Sequence, residues 1–408
     1  MRRTRLSLSA VGALALALTH VSCAGLAAPG APSTARASTS ATTSNTPLEL
    51  PEIVESFPVE TALDHRDLRD ASDVWVEMVD GAKTTLDLAE FYMSDDPTPG
   101  APPSALSKVV DAVIRAAGRG VRVRVLVESA FRGKYPELPE RLGRVPGIEV
   151  TSVDGKTLYG GGILHAKYFV VDGREAYLGS QNFDYRSLRH IHELGVRTRD
   201  PGVVSALTSI FQSDARASGS RSPAPSTPPN AAHPSAGASR ISFAASPRAP
   251  LPEGVAWDLP LLVERIDSAK REVLVQTMAY KAAFRDGSPF PTLDDALRRA
   301  LARKVRVVVQ VGSWHAKEPS LLALRAAGAD VRVIEVPAWS GGEVPFGRVI
   351  HAKYMVVDGE RAWLGTSNWE GDYFHKSRNV GVFVDDARFA ERLAQVFADV
   401  SRVLPPKP

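Results

Sequence analysis

The chain carries nearly the same twenty residues twice. ILHAKYFVVDGREAYLGSQN runs from Ile163 to Asn182 and VIHAKYMVVDGERAWLGTSN from Val349 to Asn368. Twelve of the twenty positions are identical without a gap, and matched positions are 186 residues apart. A duplication of this kind restricts the fold to two similar lobes, able to pack about a pseudo-two-fold axis with matching residues meeting at their interface. Within each block, an apolar run followed by Asp172-Gly173 or Asp358-Gly359 reads as a β-hairpin, because Asp-Gly suits a tight two-residue turn. On a strand His165 and Lys167 share one face, as do His351 and Lys353. Each hairpin then returns to a small polar step, Gly179 to Asn182 and Gly365 to Asn368.

The flanking segments repeat as well. Leu106 to Ala117 has apolar residues at helical spacing and ends at Gly118 and Gly120; the run VRVRVLVES follows as a strand. In the second half Thr292 is placed to cap the helix LDDALRRALARK, and VRVVVQVGS is the matching strand. After each block come a further β run (HELGVRT, NVGVFVD) and a closing amphipathic helix (VVSALTSIFQSDA, RFAERLAQVFADV). Strands alternating with helices predict α/β lobes, each a mixed sheet flanked by helices.

Two stretches poor in large apolar residues punctuate this pattern. The expected order is a signal segment over 1–28, a disordered tether over 29–50, a first lobe over 51–214, a disordered linker over 215–240 and a second lobe over 241–404. Arg2, Arg3 and Arg5 precede a short apolar run, Leu8 to Leu18, and small residues follow near Ala27 and Ala28. That is the layout of an export signal. A second option is lipidation at Cys23 within THVSCAG. The mature protein is therefore expected in the periplasm or outside the cell. Cys23 is the only cysteine, so no intramolecular disulfide can form and packing alone must hold the lobes. A net charge of +3, from 49 basic and 46 acidic residues, argues against a protein that coats nucleic acid but leaves room for a basic cleft.

Of nine histidines, only His165 and His351 fall at equivalent places, each with a lysine and a downstream asparagine at the same offsets. A purely structural reading makes the histidines core groups, the lysines edge charges, and Asp172 and Asp358 turn residues; for the aspartates it is as good as a functional one. Metal binding fits poorly, because a lysine beside each histidine repels a cation and no Cys cluster or HxxxH pair is present. His190 and His192 are an i, i+2 pair that could ligate, or could simply flank the following strand. Two imidazoles, two ammonium groups and two amides converging from two lobes suit a phosphodiester. Lys167, Lys353, Asn182 and Asn368 would bind the phosphoryl oxygens, one histidine would attack phosphorus, and the other would protonate the leaving oxygen. No metal or other cofactor is needed for this chemistry.

At these residues the sequence resembles the phospholipase D superfamily. Its signature is His-x-Lys, four residues, Asp, six residues, then Gly-Ser/Thr-x-Asn. Both copies match, through His165, Lys167, Asp172, Gly179, Ser180 and Asn182, and through His351, Lys353, Asp358, Gly365, Thr366 and Asn368. The resemblance spans roughly Leu50 to Val403. It implies a monomer with one shared active site, a phosphohistidine intermediate, His165 as nucleophile and His351 as general acid and then base. Glu193 and Asn379, again 186 apart, resemble the family's polar residues that orient the catalytic histidines; an acid in one lobe and an amide in the other would make the histidines unequal. A structural role at a strand edge is the alternative for both.

Within the superfamily the likeness is nearer to the phospholipase D three and four branch, carried by TTLDLAEFYM, VGSWHAKEPS and the segments around both blocks. That branch implies a 5′ exonuclease of single-stranded nucleic acid. Such a substrate needs rings for its bases to stack on, and Phe91, Tyr92, Phe183, Tyr185, Tyr280, Trp314, Trp369, Tyr373 and Phe374 lie beside the motifs, though any one of them is as readily a core residue. Phospholipid is the competing substrate, with the loop from Val336 to Gly347 as the segment able to dip into lipid. A non-catalytic phosphate- or membrane-binding module is a third option, disfavoured by intact histidines and lysines in both copies. No obligate protein partner is evident.

Overall fold

The computed structural model describes residues 50–96, 103–221 and 240–404. The signal segment, Cys23, the tether up to residue 49 and the greater part of the linker lie outside them. The described chain forms two lobes of the same plan. In the first, an eight-stranded mixed sheet runs in the spatial order Arg69–Asp70, Glu52–Ser56, Glu193–Thr198, Glu175–Gly179, Tyr168–Val171, Thr85–Glu90, Arg122–Glu128, Ile148–Val153. The second sheet repeats this order strand for strand: Ala256–Trp257, Ile241–Ser246, Asn379–Val384, Arg361–Gly365, Tyr354–Val357, Glu272–Thr277, Arg306–Gly312, Asp330–Ile334. The last three strands of each order, which come from βα units, pair in parallel, and the hairpins pair antiparallel. Both faces of each sheet are covered, which is why these strands read as near-continuous apolar runs.

Each lobe has its own core on the outer face of its sheet, centred on Trp75 and Phe169 in the first and on Trp363 and Trp369 in the second. On the inner face the cores merge. Tyr168, Leu178 and Phe211 of one lobe belong to the same apolar cluster as Tyr354, Leu364 and Phe397 of the other. The closing helices Pro201–Ala217 and Ala387–Val403 supply much of that cluster. Arg378, fully buried, crosses the interface to Asp214 through two bonds of 2.9 Å and also donates to the carbonyls of Ser246 and Pro250. A buried pair so fully hydrogen-bonded costs about 3–5 kcal/mol to break by removing one partner.

Three sequence expectations need correction. The helix Pro201–Ala217 carries three residues of the stretch assigned to the linker, because Ala215 is buried in the shared core; Ser220 and Arg221 then bond Glu149, and Arg240 pairs with Asp386. Thr292 is the first residue of its helix rather than its cap, since the Pro291 backbone is already helical and its carbonyl takes the Asp295 N–H. Finally, His165 to Lys167 and His351 to Lys353 precede the ladder strands, which begin at Tyr168 and Tyr354. The histidine backbone pairs with the other lobe instead: the His165 N–H donates to Arg378 O and the His351 N–H to His192 O.

Candidate active site

The turns explain the conserved spacing inside each block. Asp172 and Gly173 both have positive φ, 53° and 62°, and the Arg174 N–H closes the turn onto Val171 O. Asp358 and Gly359 do the same at 57° and 69°. That is the primed turn whose twist matches a hairpin. Each aspartate also clamps the preceding helix-to-strand connection. Asp172 accepts the N–H groups of Lys83, Thr84 and Thr85, and Asp358 those of Lys270, Arg271 and Glu272. Burial by itself would raise both carboxyls; these backbone donors outweigh it and hold them below the usual range. Asp172 and Asp358 thus sit at the turns and do not join the histidines.

Each histidine takes its Nδ1 partner from the other lobe, and His165 feels the charges of Lys167, Lys353 and His351. His165 Nδ1 lies 2.9 Å from Asn379 Oδ1, in the second lobe. His351 Nδ1 lies 2.7 Å from Glu193 Oε2, in the first. The Asn379 amide is fixed from both sides: its Nδ2 donates to Tyr373 O at 2.8 Å, and its Oδ1 accepts the Thr366 hydroxyl at 2.9 Å. Oδ1 can therefore only accept from His165, so Nδ1 carries the proton and Nε2 keeps its lone pair. Glu193 is held by the Ser187 hydroxyl at 3.0 Å, while Ser180 bonds the Leu194 backbone beside it.

Lys167 and Lys353 are arranged alike. Each Nζ donates to the carbonyl of the histidine two residues before it, at 2.6 Å. Two protons on each ammonium remain for another acceptor. Both lysines and both histidines are buried. Burial, then the neighbouring charge of Lys353, pulls Lys167 well below its ordinary value, and burial brings Lys353 to about 7. Burial and the two lysines also pull His165 well down, which keeps it neutral. Burial pushes Glu193 up to about 7 and pulls His351 down. At 2.7 Å these last two hold one proton between them, and that proton belongs to the pair. Lys167 feels the opposing charges of Glu193 and Glu90 besides that of Lys353.

Asn182 and Asn368 are buried, and Asn182 Oδ1 and both amide atoms of Asn368 make no hydrogen bond. Unpaired buried amides cost free energy unless a ligand satisfies them. Around them, the Phe91 ring lies 5.0 Å and the Tyr373 ring 4.7 Å from the His165 ring. Of the other rings beside the motifs, Phe183, Tyr280, Trp369 and Phe374 are buried core residues, Tyr185 is half-buried, and Trp314 is exposed. His190 packs against Trp339, and His192 is fully buried; the two do not form a ligand pair. The loop from Val336 to Gly347 is tied to the first lobe, through Ser340 to Glu60 and through Pro345 O to Arg186.

Sequence reasoning missed Glu90. It ends the strand Thr85–Glu90, fully buried, with Oε2 unpartnered, and it opposes the charge of Lys167. Burial pushes its carboxyl well up. Its only signal was a carboxylate closing an apolar strand.

Known proteins agree with this architecture. Residues 75–215 and 262–400 match the family model described as a cardiolipin synthase, phospholipase D-like domain, once per lobe. The human protein named 5′-3′ exonuclease PLD3 is 34% identical over 347 residues, covering 77% of this chain and 70% of its own length. Phospholipase D Z of Dictyostelium discoideum is 31% identical over 375 residues, covering 85% of this chain and 87% of its own. The crystal structure of phosphatidylserine synthase from Haemophilus influenzae superposes with a TM-score of 0.57 at 13% identity, over 82% of this chain and 85% of that one, a likeness of fold. With the signature present in both lobes and each of its histidines bonded to a residue of the other lobe, the chain belongs to the phospholipase D superfamily of phosphodiesterases.

Proposed function

We propose that this protein is an exported, metal-independent phosphodiesterase that removes nucleotides from an end of single-stranded nucleic acid through a phosphohistidine on His165. The observation that carries the mechanism is the unequal pairing of the histidines. An amide acceptor leaves His165 neutral with a free Nε2 lone pair, which is what a nucleophile requires. A carboxylate beside His351 stores a proton for the leaving group. In the first step His165 Nε2 bonds to phosphorus, the P–O bond to the leaving group breaks, and that oxygen takes the proton from His351. In the second step His351 takes a proton from water, the water oxygen bonds to phosphorus, and the P–N bond breaks. Lys167, Lys353, Asn182 and Asn368 hold the phosphoryl oxygens as charge shifts onto them.

The name of the human relative supports nucleic acid as substrate, and the half-exposed rings beside His165 suit a single strand. The basic residues and apolar run at the N-terminus support export. The test compares a 5′-labelled single-stranded oligonucleotide with phosphatidylcholine vesicles, each with and without EDTA. Stepwise shortening of the oligonucleotide, unaffected by EDTA, is expected. Hydrolysis of the lipid alone would replace the substrate reading with head-group release. Loss of all turnover in EDTA would replace the lysines with a metal.

A further inference from the structure

Beyond the histidines, a series of aromatic rings leads outward from the site. Phe91, in contact with His165, packs on Phe131 with centroids 4.1 Å apart. Phe131 stacks with Tyr92 at 5.8 Å, and Tyr92 with Tyr135 at 5.2 Å. None of these four rings is fully buried, unlike the core rings Trp75 and Phe183. Across from them the second lobe presents Phe346, 65% exposed. Its backbone sits in the left-handed region at φ 60°, a conformation that costs a bulky residue free energy and so points to a use for the side chain. Between the two walls lies the Lys134 ammonium, 5.9 Å from the Phe131 ring and 5.4 Å from those of Tyr135 and Phe346.

Two ligand chemistries seek such rings. A quaternary ammonium head group would lie in a cage of them. Here, however, Lys134 already occupies the cage with a positive charge, Arg186 lies over the faces of Tyr92 and Tyr135, and Lys167 lies over Phe91. Arg186 is paired with Asp184, so it is the Lys134 charge between the rings that a second cation would meet first. An anionic strand that alternates phosphates with flat bases matches both the rings and the charges. We propose that Phe131, Tyr135 and Phe346, with Lys134 between them, form a subsite that stacks the bases of a single strand next to the phosphate being cleaved. The inference rests on the nucleic-acid reading above for its substrate, but it concerns binding and can be tested separately.

The test uses His165→Ala as an uncleaving background. Binding of a fluorescently labelled oligothymidylate is compared with that of the same strand made abasic at the nucleotides next to its end, by anisotropy. Tyr135→Ala and Phe346→Ala are then combined, since neither ring touches a histidine, with a thermal melt to verify folding. The base-bearing strand is expected to bind about tenfold more tightly than the abasic one, and the double substitution to erase most of that difference. Equal binding of the two strands to the parent protein would overturn the subsite even if the active enzyme degrades oligonucleotides. Base-dependent binding in a protein whose wild type cleaves no oligonucleotide would keep the subsite and overturn the functional reading. Hydrolysis of phosphatidylcholine vesicles by the protein with His165 intact, slowed by the same double substitution, would overturn the subsite in favour of a head-group cage.

Discussion

The two histidines occupy matched positions in matched lobes, yet their Nδ1 partners differ in kind. His165 faces the amide oxygen of Asn379, and His351 faces the carboxylate of Glu193. The lysines, the backbone contacts and the hairpins are otherwise the same. A duplicated site begins with interchangeable halves, and a two-step reaction needs one group that starts without a proton and one that starts with it. On the proposed mechanism, an amide in one lobe and an acid in the other separate them, because in a buried site a neighbouring carboxylate decides which imidazole keeps a proton.

The largest effect that would test this contrast is removal of each imidazole. His165→Ala should lower kcat by roughly 10,000-fold and form no phosphoenzyme on any substrate. His351→Ala should lose as much on an alkyl phosphodiester, but with a nitrophenyl leaving group it should accumulate acid-labile phosphate, detected by mass spectrometry. Label on the His165 variant, and none on the His351 variant, would reverse the assignment.

Next in size are the orienting residues. Glu193→Gln gives His351 the same kind of partner as His165. Turnover of an alkyl phosphodiester should fall by about 100-fold or more, and that of a nitrophenyl ester far less, since only the former needs the stored proton. Asn379→Asp sharpens the comparison from the other side. A carboxylate there draws a proton onto His165, so activity should be lost selectively at acid pH. Equal effects of Glu193→Gln on both leaving groups would show that Glu193 only positions the ring.

A pH profile follows from the same charges. The proton shared by Glu193 and His351, and one proton of Lys353, are bound below about pH 7 and lost above it. His165, pulled well below its ordinary value, stays neutral through the mildly acid range. The kcat/KM of the wild type should therefore be greatest on the acid side of neutrality and, with both protons required, fall by up to about a hundredfold per unit as pH rises beyond it. A maximum well above neutrality would contradict this arrangement.

The smallest effect on chemistry should come from the motif aspartates. Asp172→Asn keeps an acceptor and a side chain tolerant of the left-handed turn, and weakens three backbone bonds. It should cost about 1–2 kcal/mol in a denaturant melt and leave kcat within a fewfold. Because the folded carboxyl lies below its unfolded value, this stabilisation is present above the unfolded value and is lost as pH falls through the folded one. A collapse of kcat in stable protein would mean that the turn reaches the histidines after all.

What the sequence determined alone was everything local or repeated. The primed turn needs Asp-Gly at two adjacent positions, the sheet needs apolar runs, and polar groups kept at the same offsets in two blocks mark a shared site. These features depend on spacings of a few residues or on the comparison of one block with the other, so they survive without coordinates. The tertiary structure alone decided which partner each polar group took. His165 meets Asn379 across 214 residues and His351 meets Glu193 across 158, because the lobes exchange orienting residues through their axis rather than using their own. The same packing left Glu90 bare beside Lys167 and brought Phe346 opposite Lys134. Periodicity reports the face on which a residue lies; the group it meets there depends on how two finished surfaces dock, and that contact is set by shape and burial over the whole interface.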